Sequence, residues 1–298
     1  MKTVTRLLVL LSVSCSAVVQ ALPEIQSWKT DNGAKVLFVA APELPMVDIR
    51  VVFDAGSARD SDQAGIARLT NGMLDQGADG LSASQIAQGF EDRGATIGNG
   101  SERDMAWLSL RSLTEDKLLQ PSLELFGKVL SKPDFPAPDF AREQKRTLVS
   151  LQYQKQKPAT IASRRFYEDL FGTHPYASDP SGTEASVAAL SAGDLKAFYR
   201  HYYVASNAVV VIVGDLVEKQ AAAIASTLVS QLPTGKHAGA LPPVAPLKAA
   251  SVDFIEHPST QSHVLMGAPG MHRGDVDYFP LYVGNHILGG SGLVSLIS

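Results

Sequence analysis

Histidine, cysteine and the carboxylates are the side chains that hold catalytic metals and move protons near neutral pH, and in this chain they are thinly spread. The first of seven histidines is His174, and the single cysteine, Cys15, lies in an N-terminal apolar run. His257 and His263 would share one face of a strand but stand about 20 Å apart at ~3.3 Å per residue. They could share a metal if the chain turned at Pro258. His174 in THPY and His201 in YRHYY read as capping or packing residues, His201 near a helix C-terminus where a cation is favoured. DSDQAG (60–65) opens like a calcium loop, but Ala64 replaces an oxygen ligand and Asn71 stands where the closing Glu is needed. GGSG (289–292) lacks the spacing of a nucleophile elbow, and Asp139 and Glu143 read as exposed helix carboxylates.

One stretch has the form of a site without its groups. GIARLTNGMLDQG (65–77) reads as an amphipathic helix closed by glycine, with Ile66, Leu69 and Met73 on its apolar stripe. Arg68, Asn71 and Gly72 fall on the other side, where a site could lie. A guanidinium has no lone pair, glycine has no side chain, and a neutral amide is no general base near pH 7. This face therefore offers zinc no ligand.

The elements around it follow from periodicity. KVLFV (35–39) and VDIRVVF (47–53) read as paired strands, the second with Val47, Ile49, Val51 and Phe53 alternating. LSASQIAQGFEDRGA is a helix with Ser82 and Gln85 at capping-box spacing, and DMAWLSLRSL (104–113) returns to strand character. Helices follow at about 114–131, 138–156 and within TIASRRFYEDLFG, which ends at Gly172. SAGDLKAFYRHYY starts with a second capping box, Ser191 and Asp194, and AVVVIVGDL (208–216) has the continuous apolar content of a strand buried on both faces. The Pro, Gly and Ala content of 232–250 marks a linker. After it, strand SVDFI, strand SHVLMGAPG and a helix from Asp277 to Gly289 repeat the order of residues 35–80, including the Gly-x-x-Arg turns Gly56/Arg59 and Gly270/Arg273.

Bulk properties exclude some classes. The chain has 298 residues, 45% of them apolar, and a net charge of −4, so it carries no electrostatic footprint for nucleic acid. Lys2 and Arg6 precede LLVLLSVSCSAVV, and VQA (19–21) suits a signal peptidase, so residues 1–21 read as an export signal cut before Leu22. The run is shorter than the ~20 apolar residues of a membrane span, and Ser12 stands against a lipidated Cys15. The mature chain would then be thiol-free, exported and periplasmic.

FDAGSARD followed by GIARLTNGML, then FGTHPYASDPSGTEASVAALSAGDLKAFYRHYYVASNAVVVIVGDL, and YFPLYVGNHILGGSG resemble the insulinase-like (pitrilysin, mitochondrial processing peptidase type) zinc metallopeptidases in their short bacterial exported form. The resemblance implies an α+β fold: a two-layer lobe with a mainly antiparallel sheet and helices on one side, then the truncated start of a second homologous lobe. In domains, this gives a first lobe at 22–231, with halves near 34–180 and 187–231, the linker at 232–250 and an incomplete second lobe at 251–298. Active members carry His-x-x-Glu-His on the helix, with a third ligand Glu downstream. Laid on this chain, the two histidines fall on Arg68 and Gly72, the Glu on Asn71, and the third ligand near Val149 and Ser150. The family also contains heterodimers whose metal-free subunit completes a chamber and supplies an Arg and a Tyr from its second lobe; Leu296 stands where relatives tend to have that Arg. The expectation is a zinc-less, non-catalytic subunit with no cofactor of its own. Its partner would be a motif-intact, zinc-bearing peptidase subunit, and the substrate a peptide or unfolded protein. A peptide-binding or assembly protein of the same fold is the alternative, and a divergent metallopeptidase with other ligands the third.

Overall fold

The structure, a computed structural model, describes residues 24–290. The expected signal segment and Leu296 lie outside the described residues. The chain divides into two compact units, one made of residues up to Leu148 with Pro180–Gly239, the other of Val149–Asp179 with residues from Ala240 on.

The first unit is built on eight strands: β1 (Gln26–Lys29), β2 (Lys35–Ala40), β3 (Met46–Phe53), the two-residue pair β4 (Gly77–Ala78) and β5 (Leu81–Ser82), β6 (Thr96–Ser101), β7 (Ala106–Leu113) and β8 (Ala208–Gly214). Six of them form one sheet in the order β1-β2-β8-β3-β7-β6. The β2–β8 pair is parallel and the other neighbours are antiparallel. This is the mainly antiparallel α+β lobe that the sequence implies. Alternation sets its two faces, since successive side chains on a strand point opposite ways. Val47, Ile49, Val51 and Phe53 on β3 join Val36, Phe38, Leu108, Leu110, Val210 and Ile212 on one fully buried face.

Helices cover that face: α1 (Ile66–Gly72), α2 (Ala83–Glu91), α3 (Asp116–Ser131), α7 (Ala192–Tyr202) and α8 (Glu218–Ser230), with α4 (Ala137–Gln154), α5 (Pro158–Phe171) and α6 (Glu184–Ala189) lying between α3 and α7 in the chain. Both capping boxes form as expected. The Ser82 N–H donates to Gln85 Oε1 at 2.9 Å, and the Ser191 N–H donates to Asp194 Oδ2 at 2.8 Å. The Ser191 hydroxyl and N–H together hold the Asp194 carboxyl below its usual range. β8 departs from the expectation of burial on both faces: Val210 and Ile212 are buried, whereas Val209 and Val211 are half-buried and Val213 is exposed. The reason is that helices pack on one side of the sheet alone among the described residues, so the opposite valines lie beside cross-strand neighbours of that open face, Lys35, Leu37 and Val39 on β2 and Val52, Arg50 and Asp48 on β3.

In the second unit, α5 stops at Gly172, as the sequence predicts, and begins two residues ahead of the expected segment with Pro158 in its first turn. Arg164 Nε pairs with Asp179 Oδ2, and Arg165 Nε with Asp253 Oδ2, each at 2.5 Å. The strands expected at SVDFI and SHVLMGAPG are not formed. A strand exists only through a neighbour that takes its N–H and C=O groups, and none of the described residues pairs with these segments. Val252, Phe254, Val264 and Met266 accordingly stay exposed. The expected last helix is present as α9 (Tyr278–Asn285), continued by a single π turn, His286–Gly290.

Candidate functional site

The site is positioned by the loop from β3 to α1. Arg59 forks onto Asp54, Nε to Oδ1 at 2.8 Å and Nη2 to Oδ2 at 2.5 Å, which folds the first half of the loop back on its start. The buried Asn207 amide donates to the carbonyls of Asp54, at 3.0 Å, and Tyr202, at 2.8 Å, tying the loop to the end of α7. Asp60 then starts the helix. Its Oδ2 accepts the Gly65 N–H at 2.7 Å and its Oδ1 the Ala67 N–H at 3.0 Å, which satisfies two of the free donors of the first turn. Asp60 is 3% exposed, and burial pushes its carboxyl up to about 7 against the lowering effect of those two N–H groups. Gly65 is needed at the cap because its φ is 95° and a Cβ there would stand 3.1 Å from the Ser181 carbonyl oxygen. Sequence reasoning read 60–65 only as a failed calcium loop. The signal it missed is an Asp placed just ahead of a glycine-capped helix.

The three motif residues on α1 do not share one open face. Arg68 is exposed and its Nη1 donates to Ser181 Oγ at 2.9 Å. Gly72, one turn on, is exposed, and a Cβ built there would meet nothing within 4 Å. Asn71 is 1% exposed, and its Nδ2 donates to the Trp107 carbonyl and to Tyr203 Oη, both at 3.2 Å. The expectation that Asn71 faces outward with the other two is therefore corrected. At 100° per residue, position 71 lies on the flank of the helix that leans on β6, β7 and the end of α7, while 68 and 72 stay on the outer side.

Asn71 belongs to a buried polar set that only the fold assembles. Tyr203 is fully buried between Phe53, with ring centroids 4.7 Å apart, and Tyr199, at 5.2 Å. Burial raises the Tyr203 phenol well above its ordinary range, and the Asn71 bond offsets only part of that. The Asn71 backbone carbonyl also accepts from Asn99 Nδ2 at 3.4 Å, which links α1 to β6. β6 is an edge of the sheet, with no partner on its outer side among the described residues.

Ser150 lies on α4 in the second unit, exposed, its hydroxyl accepting from Gln154 Nε2 at 3.2 Å, and Val149 beside it is also exposed. His174 has both ring nitrogens engaged: Nδ1 accepts the Tyr176 N–H at 3.1 Å and Nε2 lies 2.9 Å from the Pro242 carbonyl, the neutral Nε2–H tautomer. It caps a short turn, and no lone pair is left for a metal. No helix among the described residues is long and apolar enough to cross a membrane.

A helix on the inner face of an antiparallel-rich sheet, delivered by a Gly-x-x-Arg loop and bearing Arg68, Asn71 and Gly72, characterises this α+β lobe. The chain belongs to the insulinase family: the model "Insulinase (Peptidase family M16)" matches residues 35–184 and the model "Peptidase M16 inactive domain" residues 189–297. The solved peptidase M16 inactive domain from Pseudomonas fluorescens is similar at 43% identity and a TM-score of 0.87, over 91% of this chain and 66% of that one. A "Non-peptidase homolog YmxG" of Helicobacter pylori is 26% identical over 208 residues, 69% of this chain and 48% of its own length. The first half of the periplasmic protease PqqL from Escherichia coli shares the fold at 20% identity and a TM-score of 0.67, over 76% of this chain and 51% of that chain. The chain thus spans between about half and two thirds of the length of these relatives.

Proposed function

We propose that the protein is a zinc-less, non-catalytic subunit of an exported insulinase-like metalloendopeptidase. It assists a motif-intact partner that carries the zinc and the general base, and it helps to hold the peptide or unfolded-protein substrate. The observation that carries this reading is α1 itself. Arg68 presents donors only, Gly72 presents nothing, and Asn71 spends its amide inside the fold, so neither metal binding nor proton abstraction can start from this helix. The edge of β6 beside α1, unpaired on its outer side among the described residues, supports the substrate role, because an extended peptide can add to such an edge through main-chain hydrogen bonds. In this reading residues 1–21 are the export signal, 22–231 the first lobe, 232–250 the linker and 251–298 the start of a second lobe. The likeness to a periplasmic protease supports export to the periplasm.

Metal content and endopeptidase activity test the proposal, on the purified protein alone and mixed with a motif-intact relative from the same organism. The expected result is no stoichiometric zinc and no cleavage alone, with cleavage by the mixture above that of the relative by itself. One tightly bound zinc per chain, or activity in the isolated protein, overturns it. A mixture no more active than the relative removes the subunit role and leaves a peptide-binding or assembly protein.

A further inference from the structure

The outer side of α1 offers a positive charge and a cleared space on a helix that packs by β6, a sheet edge with no outer partner among the described residues. Arg68 is exposed, and among the described residues its guanidinium meets a neutral hydroxyl, Ser181 Oγ, and no carboxylate. Gly72 follows at i+4, on the same side of the helix, with nothing within 4 Å of where a side chain would begin. Between them Asn71 is fastened to β6 through Asn99, so the helix that carries the cation is held against the edge strand. A planar guanidinium with free N–H groups matches a carboxylate in two-point geometry, and a weakly engaged arginine is well suited to take one.

We propose that Arg68 anchors a carboxylate of the peptide that lies along β6, so that the site captures an acidic group where it lacks the means to cut. The proposal rests on the peptide-holding role argued above and deepens it by naming the ligand chemistry. Two sources could present the same group, a peptide's C-terminal α-carboxylate or a Glu side chain within it. The first defines an end-capturing site and the second an acidic-sequence preference.

The test uses three pools of decapeptides labelled at the N-terminus with tetramethylrhodamine. One lacks Asp and Glu and has a free C-terminus, the second is the same pool as the C-terminal amide, and the third is the amide with one internal Glu. Binding is followed by fluorescence anisotropy with the protein and with Arg68→Gln. At least one carboxylate-bearing pool should bind about five- to tenfold more tightly than the neutral amide pool, with the advantage shrinking as salt is raised. Arg68→Gln should remove that advantage, a ratio taken within one variant and so independent of its folded fraction. An advantage confined to the free C-terminus assigns the α-carboxylate, and one confined to internal Glu assigns the side chain. Equal binding of all three pools, or an advantage that survives Arg68→Gln, overturns the anchor while the peptide-holding role stands. If no pool binds, the peptide-holding role falls and the anchor falls with it.

Discussion

Asp60 gives the sharpest quantitative test of how α1 is built, because replacing it with Asn should stabilise the protein at alkaline pH. The carboxyl is 3% exposed, faces the first-turn N–H groups of Gly65 and Ala67, and has Tyr202 of α7 as its neighbouring titratable group. Burial raises its pKa from 3.8 to about 7. A group whose folded pKa is raised contributes stability that is fully present below the unfolded pKa and is lost as pH rises through the folded one. A shift of about three units at ~1.36 kcal/mol each bounds that loss at roughly 4 kcal/mol, spread between about pH 4 and pH 7. Asn has the shape of the neutral acid and no proton to lose. Asp60→Asn should be less stable than the wild type by about 1–3 kcal/mol at pH 4 to 5, because its Nδ2 cannot accept the N–H that the second carboxyl oxygen accepts. It should gain on the wild type as pH rises and overtake it above pH 7, by roughly 1–3 kcal/mol at pH 8.5. Urea unfolding from pH 4 to 8.5, followed by the fluorescence of Trp28 and Trp107, both in the first unit, measures the difference directly. If Asp60→Asn is instead less stable than the wild type by more than about 1 kcal/mol at pH 8, the two N–H bonds outweigh desolvation and the reasoning is refuted.

Other substitutions separate the roles of neighbouring residues. Asn71→Leu removes the donor to the Trp107 carbonyl and Tyr203 Oη, and leaving buried polar atoms unpaired should cost about 1–3 kcal/mol by denaturant titration. A neutral result would mean that those bonds are not made. Gly65→Ala should destabilise by more than about 1 kcal/mol, since Ala is strained at a φ of 95° and its Cβ would press on Ser181. Gly72→Ala has open space and should be neutral or gain up to about 1 kcal/mol, a contrast that a thermal melt of the two variants reads side by side.

Local chemistry made much of this legible. The strand alternation at 47–53, the two capping boxes and the stop at Gly172 depend on residues near one another in sequence, and they appear where the sequence places them. The same locality explains where the sequence reading went astray. The apolar run 208–213 shows that β8 is buried but not on how many faces, because that depends on where the helices pack. SVDFI and SHVLMGAPG have strand-like residues, but a strand also needs a partner, and the pattern of one segment does not contain its partner.

For the site, the sequence by itself determined what three side chains lack: Arg68, Asn71 and Gly72 offer no imidazole, thiolate or carboxylate to hold zinc or abstract a proton. Only the tertiary structure decided what those residues became. It turned Asn71 inward onto Tyr203, 132 residues away in the chain, and left Arg68 and Gly72 on the outer side of the helix. It also made Asp60 a buried clamp on the helix start. Hydrogen-bond partners and burial are set by which surfaces meet after folding, and those meetings join residues that no local pattern connects.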